Sequence, residues 1–190
     1  FIGPFSVTMP LTNDSVCGAE MLTVNGPSYV FNNTGATVQL NETNIAPTAT
    51  GAQTTDGWIA STLNGTTWFK FVAPTSGKMR INCTSTNNAW NTHNGQVAVY
   101  SNVGGCSDFA NFTLNSANDN AIGSSSVAPN YTICGLTAGT TYYILFDGSG
   151  PSGAYTMKLT SIDLEAGTAT PVVSVCAGDS VDLFTAITGN

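Results

Sequence analysis

Few residues in this chain suit bond-making chemistry, and their spacing is poor for it. A Ser or Cys nucleophile needs a general base beside it, usually His. The single His93 lies among Asn and Thr with no acidic neighbour in sequence, as a solvated loop histidine would. Glycoside cleavage needs two carboxylates flanking a cleft, and the eleven Asp and Glu are scattered without a spacing that singles out a pair. The chain therefore reads as non-enzymatic. Calcium is better served, because it takes about six to eight oxygens from carboxylates, Asn side chains and loop carbonyls. Asp119 and Asn120, in a loop ahead of a Ser-rich run, lead as calcium ligands, with Asp14 and Asp147 as further candidates. Asx turns that close loops are the competing explanation for all four.

Five cysteines, Cys17, Cys83, Cys106, Cys134 and Cys176, form no CxxC, and one His leaves no zinc pattern. Disulfides in an oxidising compartment fit better. Cys176 stands in a separate C-terminal segment and is expected to pair with a partner beyond residue 190. The other four allow three connectivities, among which sequence does not choose. The favoured pairing is Cys106–Cys134 with Cys17–Cys83. Among the aromatics, Trp58, Trp90 and Tyr100 are candidates for a sugar-stacking platform. Trp90, in the polar run Asn87-Asn-Ala-Trp-Asn-Thr-His93, is the best single ligand contact, against anchoring of its own loop.

Composition bounds the partners. The 190 residues carry four basic and eleven acidic side chains, a net charge of −7. Nucleic acid and anionic membranes need clustered Lys and Arg, which this chain lacks. Divalent cations and neutral glycans remain. Hydrophobic residues make up 42%, so a core can form, while charged residues make up only 8%. The surface must then be built from Thr, Ser, Asn and Gly, which favour strands and turns over helices. No apolar stretch approaches the ~18 residues of a membrane span, and no signal-peptide pattern opens the chain.

The elements that would position these groups are strands. Thr66–Val72 alternates Phe69 and Phe71 on one face with Trp68 and Lys70 on the other. Met79, Ile81 and Cys83 alternate with Arg80 and Asn82. Gln96–Tyr100, Tyr131–Cys134, Thr140–Phe146 and Ala154–Thr160 read likewise, with turn clusters such as Pro74–Gly77 and Thr137–Thr140 between them. No window of about twelve residues carries a helical stripe. The expected fold is all-β, a jelly-roll-like β-sandwich.

Gly3–Met9 echoes Gly153–Leu159, so residues 1–10 are expected to be the last strand of a preceding, similar domain. Residues 11–162 form the sandwich, 163–171 a linker, and 172–190 the start of an immunoglobulin-like or PKD-like domain.

The central stretch resembles the bacterial pre-peptidase C-terminal (PPC-like) domain family. The resemblance rests on Asn13–Ala19, Thr67–Gly77, Val97–Tyr100, Ala117–Asn120, Gly135–Ile144 and Gly153–Leu159. It implies a jelly-roll-like sandwich, and Asp119 with Asn120 resembles a metal-coordinating position of that family. Ser174–Leu183 looks like the immunoglobulin-like or PKD-like repeats of Bacteroidetes surface adhesins and gliding proteins exported by type IX secretion. In that setting Asp14-Ser15-Val16 and Asp179-Ser180-Val181 fit the Asp-(Ser/Thr)-apolar pattern for O-glycosylation, at Ser15 and Ser180. Asn-X-Ser/Thr sequons, as at Asn41 and Asn111, follow from Asn and Thr abundance alone.

The function expected is a structural or adhesive module of a large secreted, cell-surface protein. Its partners would be neighbouring domains of the same chain, and glycans or other surface proteins. Two other readings stay open: a calcium- or carbohydrate-binding accessory domain of a secreted hydrolase, and a surface filament subunit.

Overall fold

A computed structural model describes residues 11–48, 58, 61–85, 94–119, 128–149 and 153–163. The expectations for residues 1–10 and 164–190, and for Trp90, His93, Asn120, Cys176 and Ser180, lie outside them. The strands are β1 (Glu20–Met21), β2 (Tyr29–Asn32), β3 (Thr66–Val72), β4 (Met79–Ser85) and β5 (Asn94–Asn102). They continue with β6 (Phe112–Asn118), β7 (Asn130–Ile133), β8 (Thr141–Ser149) and β9 (Ala154–Ser161). Three single-turn 3-10 helices, η1 (Val16–Gly18), η2 (Glu42–Ile45) and η3 (Phe109–Asn111), lie in the connections. Among the described residues nothing longer is helical, as the Thr- and Asn-rich composition predicts.

The pairing explains the architecture. Antiparallel ladders join β2 to β9, β3 to β8, β4 to β7 and β5 to β6. The chain is thus a long ribbon of four strands folded back on four more. Rolling that ribbon brings β5 against β8 and β4 against β9. The result is a sheet ordered β1-β3-β8-β5-β6 (sheet A) facing one ordered β2-β9-β4-β7 (sheet B). This is a jelly-roll sandwich. Among the described strands only the short β1 runs parallel to its neighbour, β3.

Strand alternation decides what is buried. Phe69 and Phe71 of β3, Val97 and Val99 of β5, and Ile144 and Phe146 of β8 point from sheet A toward sheet B. There they meet Phe31, Met79, Ile81, Tyr131, Tyr155 and Met157 in one apolar cluster. Aromatic rings lock its centre, with Phe146 centroids 4.9 Å from Phe31 and 4.6 Å from Tyr155. On the far side of sheet B the alternation ends in water, at exposed Arg80, Asn82, Thr84, Lys158 and Thr160.

Sheet A differs, because its outer face carries Trp68, Ala98, Leu145, Phe112 and Ala117, too apolar to leave wet. Val16, Ala19, Ile45, Trp58, Leu63 and Phe109 from the long connections cover it, forming a second core. A disulfide between Cys17 and Cys106 pins this cover (Cα–Cα 5.0 Å). The expected pairing of Cys106 with Cys134 and Cys17 with Cys83 is therefore replaced. The reason is strand parity: Cys83 faces the inter-sheet core with Met79 and Ile81 and is 1% exposed. Cys17 lies beyond the opposite face of sheet A, so a whole sheet separates the two. Cys83 is a free thiol, and Cys134 is itself disulfide-bonded.

Candidate functional site

The polar groups that matter gather on the outer face of sheet A. Register sets Thr66 of β3, Asp147 of β8 and Gln96 of β5 side by side. They occupy the same face as Trp68, Leu145 and Ala98. All three are fully buried under the cover. Asp147 Oδ1 accepts from the backbone N–H of Asn64 (3.0 Å) and Gly65 (2.9 Å), and its Oδ2 accepts from Gln96 Nε2 (2.8 Å). The carboxylate thus fixes the entry into β3, as charge-assisted bonds to backbone amides do well.

Glu42 is another buried carboxyl. It projects from η2 onto sheet A, accepting from the Trp68 indole N–H at 2.9 Å on Oε1 and from the Gln39 backbone N–H at 2.6 Å on Oε2. Burial pushes its pKa up, the donors Thr66, Gln39 and Trp68 oppose that, and the charge of Asp147 adds to the rise. Because the folded pKa lies above the unfolded value of ~4.3, this group's contribution to stability is complete below that pH. It is lost as pH rises through the folded pKa. Stability should therefore fall over the range above about pH 4.5, and Glu42→Gln should flatten that slope. Urea midpoints measured across this range check it, and an unchanged slope in the variant would refute the assignment.

A surface groove of about 500 Å³ lies between η2, which Glu42 anchors, and η3. One wall carries Leu40, Asn41 and Asn44, the other Ser107, Asp108 and Ala110, and Ile45, Phe109 and Phe112 line its floor. Asn41 holds a left-handed backbone (φ 69°) as the N-cap of η2, and its side chain makes no capping bond. Asp108 caps η3 by accepting from Ala110 N–H at 2.9 Å. Both walls are supported from behind: η2 by Glu42, and the 105–112 segment by the Cys106 disulfide.

The expected site residues are dispersed. Asp14 accepts from Thr37 through its N–H (2.6 Å) and hydroxyl (2.8 Å). Ser15 Oγ caps η1 at Gly18 N–H (3.2 Å). Asp119 directly follows the end of β6 at Asn118 and is 2% exposed. Asp147 lies within β8 rather than in a loop after it. No group of three or more His, Cys, Asp or Glu is placed to hold a metal ion among the described residues. Trp58 and Tyr100 cannot form a stacking platform. Both are buried in the cover of sheet A, where Trp58 Nε1 donates to Val97 O and Tyr100 Oη to Ile45 O. The groove residues went unmarked because nothing local in sequence places 40–45 alongside 107–112.

No protein-family model and no curated protein matches the chain. Among solved structures, the crystal structure of Yersinia pseudotuberculosis-derived mitogen aligns over 60% of this chain and 98% of its own. The identity is 13% and the TM-score 0.32. A likeness of that size carries nothing across to this chain.

Proposed function

We propose that this chain is a non-enzymatic structural or adhesive module of a large secreted, cell-surface multidomain protein. The observation that carries this reading is the Cys17–Cys106 bridge, which staples a two-layered jelly roll where an oxidising exterior would keep it intact. The acids fit the same reading. Asp14, Glu42, Asp108 and Asp147 each accept from backbone amides, a structural use of carboxylates. No helix among the described residues is long and apolar enough to cross a membrane. The echo of Gly3–Met9 in Gly153–Leu159 and the repeat-like texture of Ser174–Leu183 support a multidomain parent. A Bacteroidetes adhesin exported by type IX secretion, with sugars on Ser15 and Ser180, is the specific setting proposed.

Unreduced intact and peptide mass spectrometry of the native protein tests this. A parent far heavier than 19.6 kDa with Cys17 and Cys106 in one bridged peptide is the expected result. Free thiols at both positions would remove the extracellular setting.

A further inference from the structure

We propose that the groove between η2 and η3 binds a neutral saccharide. This narrows the adhesive reading above to a ligand class and rests on that reading for its biological sense. The groove's volume of about 500 Å³ falls within the ~300–1,000 Å³ of small-ligand sites. Its chemistry selects among ligands. Among the described residues no Lys, Arg or His lines it, and Asp108 is the one ionisable group there. An anion would meet that carboxylate without compensation, and a metal ion would find too few charged oxygens. A wholly apolar ligand would strip water from Asn41, Asn44, Ser107 and Asp108 without replacing its bonds.

An uncharged polyol satisfies every lining group at once. The Asn41 and Asn44 carboxamides can each donate and accept, Ser107 can do both, and Asp108 accepts from sugar hydroxyls. Leu40, Ile45, Phe109 and Phe112 offer apolar surface to the C–H face of a pyranose ring. Leu40 is 88% exposed at the rim, an apolar side chain that the fold itself leaves unused. The site is also rigid before any ligand arrives. Glu42 ties η2 to Trp68, while the disulfide and the Asp108 cap hold the opposite wall. Binding then need not order two loops, which is where weak polar ligands lose affinity.

The test titrates the full chain with cellobiose, maltose, mannobiose and N,N′-diacetylchitobiose, following amide shifts by NMR. Saturable binding of at least one sugar is expected, with shifts centred on residues 40–45 and 107–112. Ala110→Trp, which fills the groove from an exposed position, and Asn44→Ala should each weaken binding by about tenfold or more. The unfolding midpoint of both variants should stay unchanged. Absence of saturable binding to all these sugars, or binding undiminished by Ala110→Trp, overturns the proposal. Neither outcome alters the bridged-peptide mass that tests the reading beneath it.

Discussion

Cys17→Ser should lower the unfolding free energy by about 2–5 kcal/mol. The bridge closes a span of 89 residues, and the chain-entropy model places loops of that length near the top of the range. The native state loses as well, because the bridge fastens the connections that keep Trp58, Trp68 and Leu145 dry. Urea denaturation of the oxidised protein against the variant is the measurement. A reductant should cost the wild type at least as much as the substitution does, since the bond at Cys134 is cleaved too. An unchanged midpoint in Cys17→Ser would mean that packing alone retains the cover.

Asp147→Ala should cost about 3–5 kcal/mol, because it orphans buried donors on Asn64, Gly65 and Gln96 together. Asp147→Asn should cost far less, about 1–2 kcal/mol. Its carbonyl can still accept from the two backbone amides, and its new N–H₂ can face Gln96 if that side chain rotates. Gln96 has the matching acceptor to hand, since its Oε1 is buried and without a partner. Removing that acceptor with Gln96→Leu in the Asp147→Asn background should therefore destabilise it further. Equal losses for the Ala and Asn variants would show that the charge, rather than hydrogen-bond geometry, holds the β3 entry.

Which parts of this were legible in sequence follows from where the information sits. Thr66–Val72 was readable to the residue because strict alternation coincides with a strand buried on both faces. β4, β5, β7, β8 and β9 were readable from their apolar spacing too, within a residue or a few at each end. β6 was not: Phe112-Thr-Leu-Asn-Ser-Ala-Asn118 has the polar composition of a loop and is an edge strand. β2, four residues long, gave too short a pattern, and β1 exists only through its parallel pairing with β3. The cover over sheet A was invisible for a deeper reason. Alternation sets Trp68 and Lys70 on one face without saying what packs there, and only tertiary assembly reveals that Glu42 and Trp58 come down on it. The disulfide pairing failed for want of the same knowledge, because which side of a sheet a cysteine faces depends on what lies beneath. The groove is likewise assembled from two distant segments.

The staple also sets how far the domain can be stretched. Strands β1 to β5 all lie between Cys17 and Cys106. A pull applied between residues 11 and 163 therefore passes through the sulfurs and bypasses them. At ~3.4 Å per residue, the 89-residue span withholds about 300 Å of contour length. While the bond is intact, β1 to β5 cannot be drawn out, and any strand of β6 to β9 that leaves must be peeled from a partner that cannot follow. The domain is then a short, stiff tether when oxidised and a long, compliant one when reduced.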